Sequence, residues 1–314
     1  MPALARLPHV SATPPTRPSG GGARDRLRRS SMSLLRHSRV GAGSAQLAIR
    51  LPRRETRDEP SPVQIRPFRG HRLAILAHFD ASGSVDDSFR HLGRTLVGEG
   101  YEVVVCTTSP TNPAQFAALV DDFAIAVIVR GNEGYDFQSW RRGIELARRS
   151  QWSFDRLILT NGSMHGPLTA LDGILSTMDR HSSWGMTESL DLRPHVQSWW
   201  LAFGDGVLTH PEFDRYWSRV RPAKNKWETI LAHELRWSQD LALDGPTAAY
   251  VPVAAHQCRR NPLFFAWREL ISDWHMPFFK RSLLGPNYDR IDMHGWRDFI
   301  HDQAPSFDLE LVSP

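Results

Sequence analysis

From residue 72 onward, short apolar runs alternate with stretches in which apolar side chains return every three or four positions. That is the pattern of a parallel sheet joined by crossover helices. Residues 73–79 read as a strand, and 85–98 as a helix with Val85, Phe89, Leu92 and Leu96 at helical spacing. Strands follow at 101–107 and 124–129, with a short helix at 114–122 between them. The run at 124–129 is almost wholly apolar, as an interior parallel strand should be. The chain then turns polar over 130–136, Arg-Gly-Asn-Glu-Gly-Tyr-Asp, before a helix whose Phe137, Trp140, Ile144 and Ala147 share one face. A fourth strand, 156–160, breaks into Asn-Gly-Ser-Met-His-Gly-Pro over 161–167, with a helix at 168–178 beyond it. Residues 184–187 and 196–203 read as further strands, and 213–220 and 224–242 as helices. The expected fold class is α/β, a mostly parallel sheet with flanking helices.

Residues 1–70 break this pattern and change the meaning of the charge. They hold 14 Arg, no Lys and four acids, a balance of +10, so the remainder of a chain with net charge +4 is −6. With Pro14, Pro15, Pro18, three consecutive glycines and many serines, this segment buries too little apolar surface to offset its ordering entropy. The expected organisation is a disordered Arg-rich arm over 1–70, a folded domain over 71–290 and a C-terminal tail over 291–314. The preferred reading of the arm is a passive solvated extension, and the alternative is a peripheral contact with anionic lipid. Nucleic acid is not an expected partner, because the folded part is net acidic and shows no interleaving of basic and aromatic residues. Cys106 and Cys258 lie far apart, which supports neither a disulfide framework nor a cysteine metal site. No apolar run approaches the ~20 residues that span a bilayer, and residues 1–29 lack the pattern of a secretory signal. The expected location is cytoplasmic, peripheral at the inner face of the membrane if the arm binds lipid.

Ligands of open α/β sheets sit outside the carboxyl ends of the strands, which makes 130–136 and 161–167 the candidate site. Spacing alone leaves Asn-x-Gly-x-Asp open between a ligand loop and an ordinary turn. The order of several segments is more specific: Asn132-Glu-Gly-Tyr-Asp-Phe-Gln-Ser-Trp140, Thr160-Asn-Gly-Ser-Met-His-Gly-Pro-Leu168, Trp184-Gly-Met-Thr187, His195-Val-Gln-Ser198, and Asn261-Pro-Leu-Phe-Phe-Ala-Trp-Arg-Glu-Leu270 followed by Pro277-Phe-Phe-Lys-Arg281. Together, over residues 72–288, they make a chain that resembles the rhamnan synthesis protein F family. The resemblance implies bacterial surface-polysaccharide assembly, with a sugar such as rhamnose moved from a nucleotide diphosphate to a lipid-linked glycan acceptor. The order of parts also looks like a GT-A nucleotide-sugar transferase core.

On that resemblance Asn132, Gly134, Tyr135, Asp136, Asn161 and Ser163 are the expected donor-binding residues, with a divalent cation, Mg or Mn, as the expected cofactor and Asp136 as its ligand. Where family members commonly carry Asn-Asp-Ser, this chain reads Asn161-Gly162-Ser163. Arg130, Arg141 and Arg142 are the alternative source of positive charge. For Asp136, capping of the helix that starts at Phe137 is an equal reading, and for Arg141 and Arg142 a solvated face is the preferred one. Glu234 is the expected general base, placed with Trp227, Leu231, Ser238 and Leu241 along one side of a helix, where burial would raise its pKa. The competing reading is a core carboxylate paired with Arg236 or His233. His195 is expected to orient the acceptor or bind phosphate, and Trp199 and Trp200 are candidates for stacking on a sugar. The expected function is sugar transfer, probing as its alternative a catalytically inactive glycan-binding or assembly module.

Overall fold

The computed structural model describes residues 62–110 and 113–312. The expectation of a disordered arm lies outside the described residues up to position 61. Residues 62–70, also assigned to the arm, belong to the fold, because β1 (Pro62–Ile65) pairs antiparallel with β4 (Ala124–Val129). The other strands of the main sheet are β2 (Arg72–His78), β3 (Glu102–Thr107), β5 (Arg156–Asn161), β7 (Ser183–Ser189), β8 (His195–Val196), β9 (Trp200–Gly204) and β10 (Ala248–Val251). Their spatial order is β1-β4-β3-β2-β5-β9-β7-β10, with β8 on β7. A separate two-stranded ribbon joins β6 (Met164–His165) to β11 (Phe279–Lys280).

The sheet is mixed, which corrects the expectation of a mostly parallel one. The β4-β3-β2-β5 half and the β7-β10 pair are parallel, whereas β1-β4, β5-β9, β9-β7 and β7-β8 are antiparallel. The reason lies in the connections. A parallel return needs a crossover of a dozen or more residues, usually a helix, and only the short β8 segment separates β7 from β9. The run at 196–203 is broken at the same place, so β8 and β9 are two strands.

Helices α1 (Asp87–Gly98) and α2 (Pro113–Asp122) cover one face of the parallel half, where Phe89, Leu92, Leu96 and Phe116 are buried. Helix α3 (Tyr135–Arg149) covers the other with Phe137, Trp140, Ile144 and Ala147, the four residues its periodicity selects. The next helix, α4, begins at Asp172 and not at 168. Residues 224–242 form no continuous helix: a helical turn, Lys226–Thr229, runs into a π-turn, Ile230–Glu234, and then into Trp237–Asp240. Near the C-terminal end, the helix Trp296–Gln303 and the residues after it bury Ile300, Ala304, Phe307 and Val312 in the core. Among the described residues no helix is long and apolar enough to cross a membrane.

Trp140 couples this packing to the strand ends. It is fully buried on α3, and its indole Nε1 donates to the carbonyl of Thr160, the penultimate residue of β5, 2.9 Å away. Loss of such a bond costs about 1 kcal/mol, and truncation of a buried Trp to Ala about 3–5 kcal/mol. In denaturant titrations Trp140→Phe should therefore lower the unfolding free energy by about 1 kcal/mol and Trp140→Ala by about 3–5 kcal/mol.

Candidate active site

The first polar strand end is a loop tied down by one arginine. Arg130 donates from Nε and Nη2 to Ser139 Oγ (3.0 and 2.8 Å), from Nη1 to the carbonyls of Gly131 (2.9 Å) and Glu133, and from Nη2 to the Tyr135 carbonyl (2.6 Å). Burial pushes its pKa down to about 10, with nearby carboxylates offsetting part of the effect. Its donors are spent on the loop's own backbone and on Ser139 of α3, so Arg130 is a fastener and not an open phosphate ligand. Arg141 and Arg142 are also engaged, both with Glu145 and Arg141 further with the Val220 carbonyl at 2.8 Å. They are partly buried, which corrects the solvated-face reading.

Gly134 turns the loop into α3 with φ +75°, a left-handed conformation that costs glycine little. A Cβ there would lie 2.8 Å from Pro222 Cα, so no larger residue fits without moving backbone. Tyr135 follows with φ +55°, uncommon for a residue with a side chain, and its ring is exposed. Asn132 is exposed at the tip.

Asp136 does not cap α3. The N-cap is Gly134, and the Asp136 carboxylate instead accepts from Asn161 Nδ2 at 2.7 Å. Asn161 Oδ1 in turn accepts from the Ser163 amide at 3.1 Å. The two strand ends singled out in the sequence are thus joined by one side-chain bridge, although β3 and β2 lie between β4 and β5 in the sheet. Burial raises the Asp136 pKa against the opposing pull of Asn161, Lys280, Arg130 and Lys226.

A third segment closes over this bridge. β11 pairs with β6, Lys280 opposite Met164, and the Arg281 amide donates to the Ser163 carbonyl at 3.1 Å. Gly166, at φ +127°, lets Pro277 approach so closely that a Cβ would meet its carbonyl oxygen at 2.3 Å. Lys280 Nζ donates to Ser163 Oγ at 3.0 Å. Its pKa falls to about 8, first through burial, then through repulsion from Lys226, against the attraction of Glu234 and Asp136. Arg281 is anchored on Asp86, the N-cap of α1, with Nη2 2.6 Å from Oδ1. Sequence reasoning quoted Pro277-Phe-Phe-Lys-Arg281 as a signature and assigned it no role. The missed signal was scarcity: Lys224, Lys226 and Lys280 are the only lysines among the 38 Lys and Arg residues of the chain.

Glu234 lies on the π-turn, an irregularity often found at functional sites. Leu231, placed beside it on the inward stripe, is 48% exposed, so the predicted single face does not exist. Neither competing partner holds Glu234. Arg236 pairs with Asp240, and His233 stacks on Phe137 with ring centroids 5.0 Å apart. Glu234 faces His195 instead, Oε1 3.8 Å from Nε2, while His195 Nδ1 lies 2.8 Å from the Arg193 carbonyl. Two bonds fix the pair's approach: Arg193 donates to the Leu235 carbonyl, and Trp237 Nε1 donates to the Val196 carbonyl at 2.9 Å. Burial alone would raise the Glu234 pKa, but His195 and the two lysines outweigh it and hold the carboxyl below its usual range. The expected upward shift is therefore reversed. Burial likewise works against charged His195, yet Glu234 and the Arg193 carbonyl raise its pKa.

Trp199 and Trp200 are buried in the core, Trp199 donating to Thr187 Oγ1 at 3.0 Å, so neither ring is open to a sugar. At Gly162 a Cβ would lie 3.0 Å from Phe89 Cδ2, and the ring would have to give by a few tenths of an ångström to admit an acid. The donor set does not suit a divalent cation. Asp136 is engaged by an amide and surrounded by cationic side chains, and among the described residues no three His, Cys, Asp or Glu gather as a metal site.

The chain is of the mixed α/β class, with carboxylate, amide, imidazole and ammonium groups gathered near its strand ends, the edge at which open α/β sheets place ligands. Residues 103–294 match the family model described as rhamnan synthesis protein F, and the chain belongs to that family. It is 22% identical over 179 residues to "Uncharacterized protein y4gN" of Sinorhizobium fredii (strain NBRC 101917 / NGR234), a match over 55% of this chain. The chain spans about half the length of that curated relative, 46%. Among solved structures, one described as a "putative nucleotide-diphospho-sugar transferase" from Desulfovibrio desulfuricans G20 is similar to it, with 9% identity and a TM-score of 0.36 over 75% of this chain and 99% of that chain.

The opposed shifts of His195 and Glu234 have a direct readout. Followed by NMR, the His195 ring should titrate above 6.5 in the wild type and below 6.5 in Glu234→Gln, where burial acts with its main counterweight removed. Linked stability follows the same sign. A raised His195 contributes fully below 6.5 and is lost as pH rises through its folded pKa; a lowered Glu234 contributes above 4.5 and is lost as pH falls through its own.

Proposed function

We propose that this chain is a glycosyltransferase of surface-polysaccharide synthesis, moving a deoxysugar, rhamnose in the first instance, from a nucleotide diphosphate donor to a hydroxyl of a growing, lipid-linked glycan. The carrying observation is a carboxylate, Glu234, that lies on a π-turn with Oε1 3.8 Å from His195 Nε2 and is 25% exposed. Membership of the rhamnan synthesis family supports the sugar chemistry, and the strand-end position supports a GT-A-like core.

Glu234 takes the proton of the acceptor hydroxyl as its oxygen bonds to the anomeric carbon. The bond from that carbon to the donor phosphate breaks, and its electron pair leaves with the diphosphate. His195 is a positioning residue that keeps Glu234 ionised until the proton arrives. Asn132, Gly134, Tyr135, Asp136, Asn161 and Ser163 form the donor side. A single base acting on the acceptor corresponds to inversion at the anomeric carbon. Work at the inner face of the membrane, with the Arg-rich arm on anionic lipid, fits a lipid-linked acceptor.

The second reading, an inactive glycan-binding or assembly module, is favoured by Gly162 where the resemblance leads one to expect an acid. Calorimetry separates the two, since glycan binding without nucleotide binding belongs to the module alone. For the transferase, purified protein with a nucleotide deoxysugar and a glycan acceptor should release nucleoside diphosphate, and Glu234→Gln should slow release by about 100-fold or more. Full activity in that variant would remove Glu234 from the base role.

A further inference from the structure

We infer that Lys280 and Lys226 form a metal-independent site for the donor's diphosphate, with Lys280 as the residue that meets the departing phosphate. The inference rests on the transferase reading for its ligand, and on different groups for its evidence.

The first observation is composition placed in space. A chain that uses arginine almost everywhere has three lysines: Lys280 sits on Ser163 Oγ at 3.0 Å, Lys226 opens the helical turn that runs into the π-turn carrying Glu234, and both charges act on Asp136 and Glu234. An ammonium is a compact charge with three rotatable donors, suited to phosphate oxygens that shift as a bond breaks, whereas arginine's planar fork fits one fixed geometry. The arginines nearby are spent elsewhere: Arg130 on its own loop, Arg141 and Arg142 on Glu145, and Arg281 on Asp86.

The second observation is charge balance. With His195 set against Glu234, Asp136 is the carboxylate left to face two ammonium groups, and it already accepts from Asn161. Lys226 and Lys280 offset the two carboxylates, so the basin holds no surplus negative charge to attract a cation. A multiply charged anion between Lys226 and Lys280 would relieve their mutual repulsion.

The third is geometry. Lys280 is held by β11 against Ser163, at the strand end where Gly162 supplies no acid. Lys226 is exposed, one residue beyond the N-cap Asn225, and free to swing onto a ligand. The segment that would supply a metal ligand thus instead carries, through its contact with β11, a positive charge.

The test titrates inorganic pyrophosphate into the full chain by calorimetry, in chelator and then with Mg or Mn. Pyrophosphate should bind in chelator. Lys280→Met should weaken binding at least about tenfold, Lys280→Arg, which keeps the charge but not the compact ammonium, should lose less, and Lys226→Met should give a smaller loss than Lys280→Met. Lys224→Met, whose backbone amide bonds Glu228, should match the wild type. Thermal unfolding of each variant separates lost binding from lost fold, and the Arg variant reports charge if Met at 280 fails to fold. Binding that appears only with metal, or survives unchanged in Lys280→Met, overturns the inference. Pyrophosphate binding that persists while no sugar is transferred to any acceptor counts against the transferase reading and supports the lysine site.

Discussion

The candidate site depends on one constraint: α3 must reach the end of β5 although β3 and β2 intervene between β5 and the strand from which α3 departs. The buried bond from Trp140 to the Thr160 carbonyl fixes the helix at that height. The Asp136 to Asn161 bridge forms one turn earlier on α3 and one residue later on β5. The first bond is buried and the second partly so, and the cost of leaving such groups unpaired favours both contacts. Arg130 then sets the loop between β4 and α3 against this fixed frame, and β11 seals the other side.

Much of this was legible in the chain. The apolar stripe of Phe137, Trp140, Ile144 and Ala147 marked the buried face of α3 because helical periodicity records burial on one side. The two polar runs marked strand ends because a parallel strand's apolar run stops where the sheet stops. Direction was not legible at β9: Trp200-Leu-Ala-Phe-Gly204 is buried throughout, and a strand apolar on both faces carries no mark of which way it runs. The π-turn at Ile230–Glu234 was hidden for a related reason. Its residues have ordinary helical propensity, and the contact of His233 within it, a stack on Phe137, is made with a residue far away in the chain.

Side-chain partnerships were the least legible. Glu234 looked like a residue whose burial would raise its pKa, and the partners that reverse the sign come from β8 and from β11, one before it in the chain and the other after. Arg130 looked like a phosphate ligand because a strand-end arginine often is one; its role as a loop fastener depends on carbonyls that only the folded turn aims at it. Lys280 sits 117 residues from Ser163, and no local pattern joins them.

Gly162 carries a consequence for how this family can vary. Its absent side chain is not vacant space, because the Phe89 ring lies against it and is itself packed on His78 and Phe123. Positions 162 and 89 abut, one just past a strand end and the other on α1. Homologues with an acid at the first position are therefore expected to carry a slimmer residue at the second, so that the chemistry of the loop and the bulk of α1 change together as a pair.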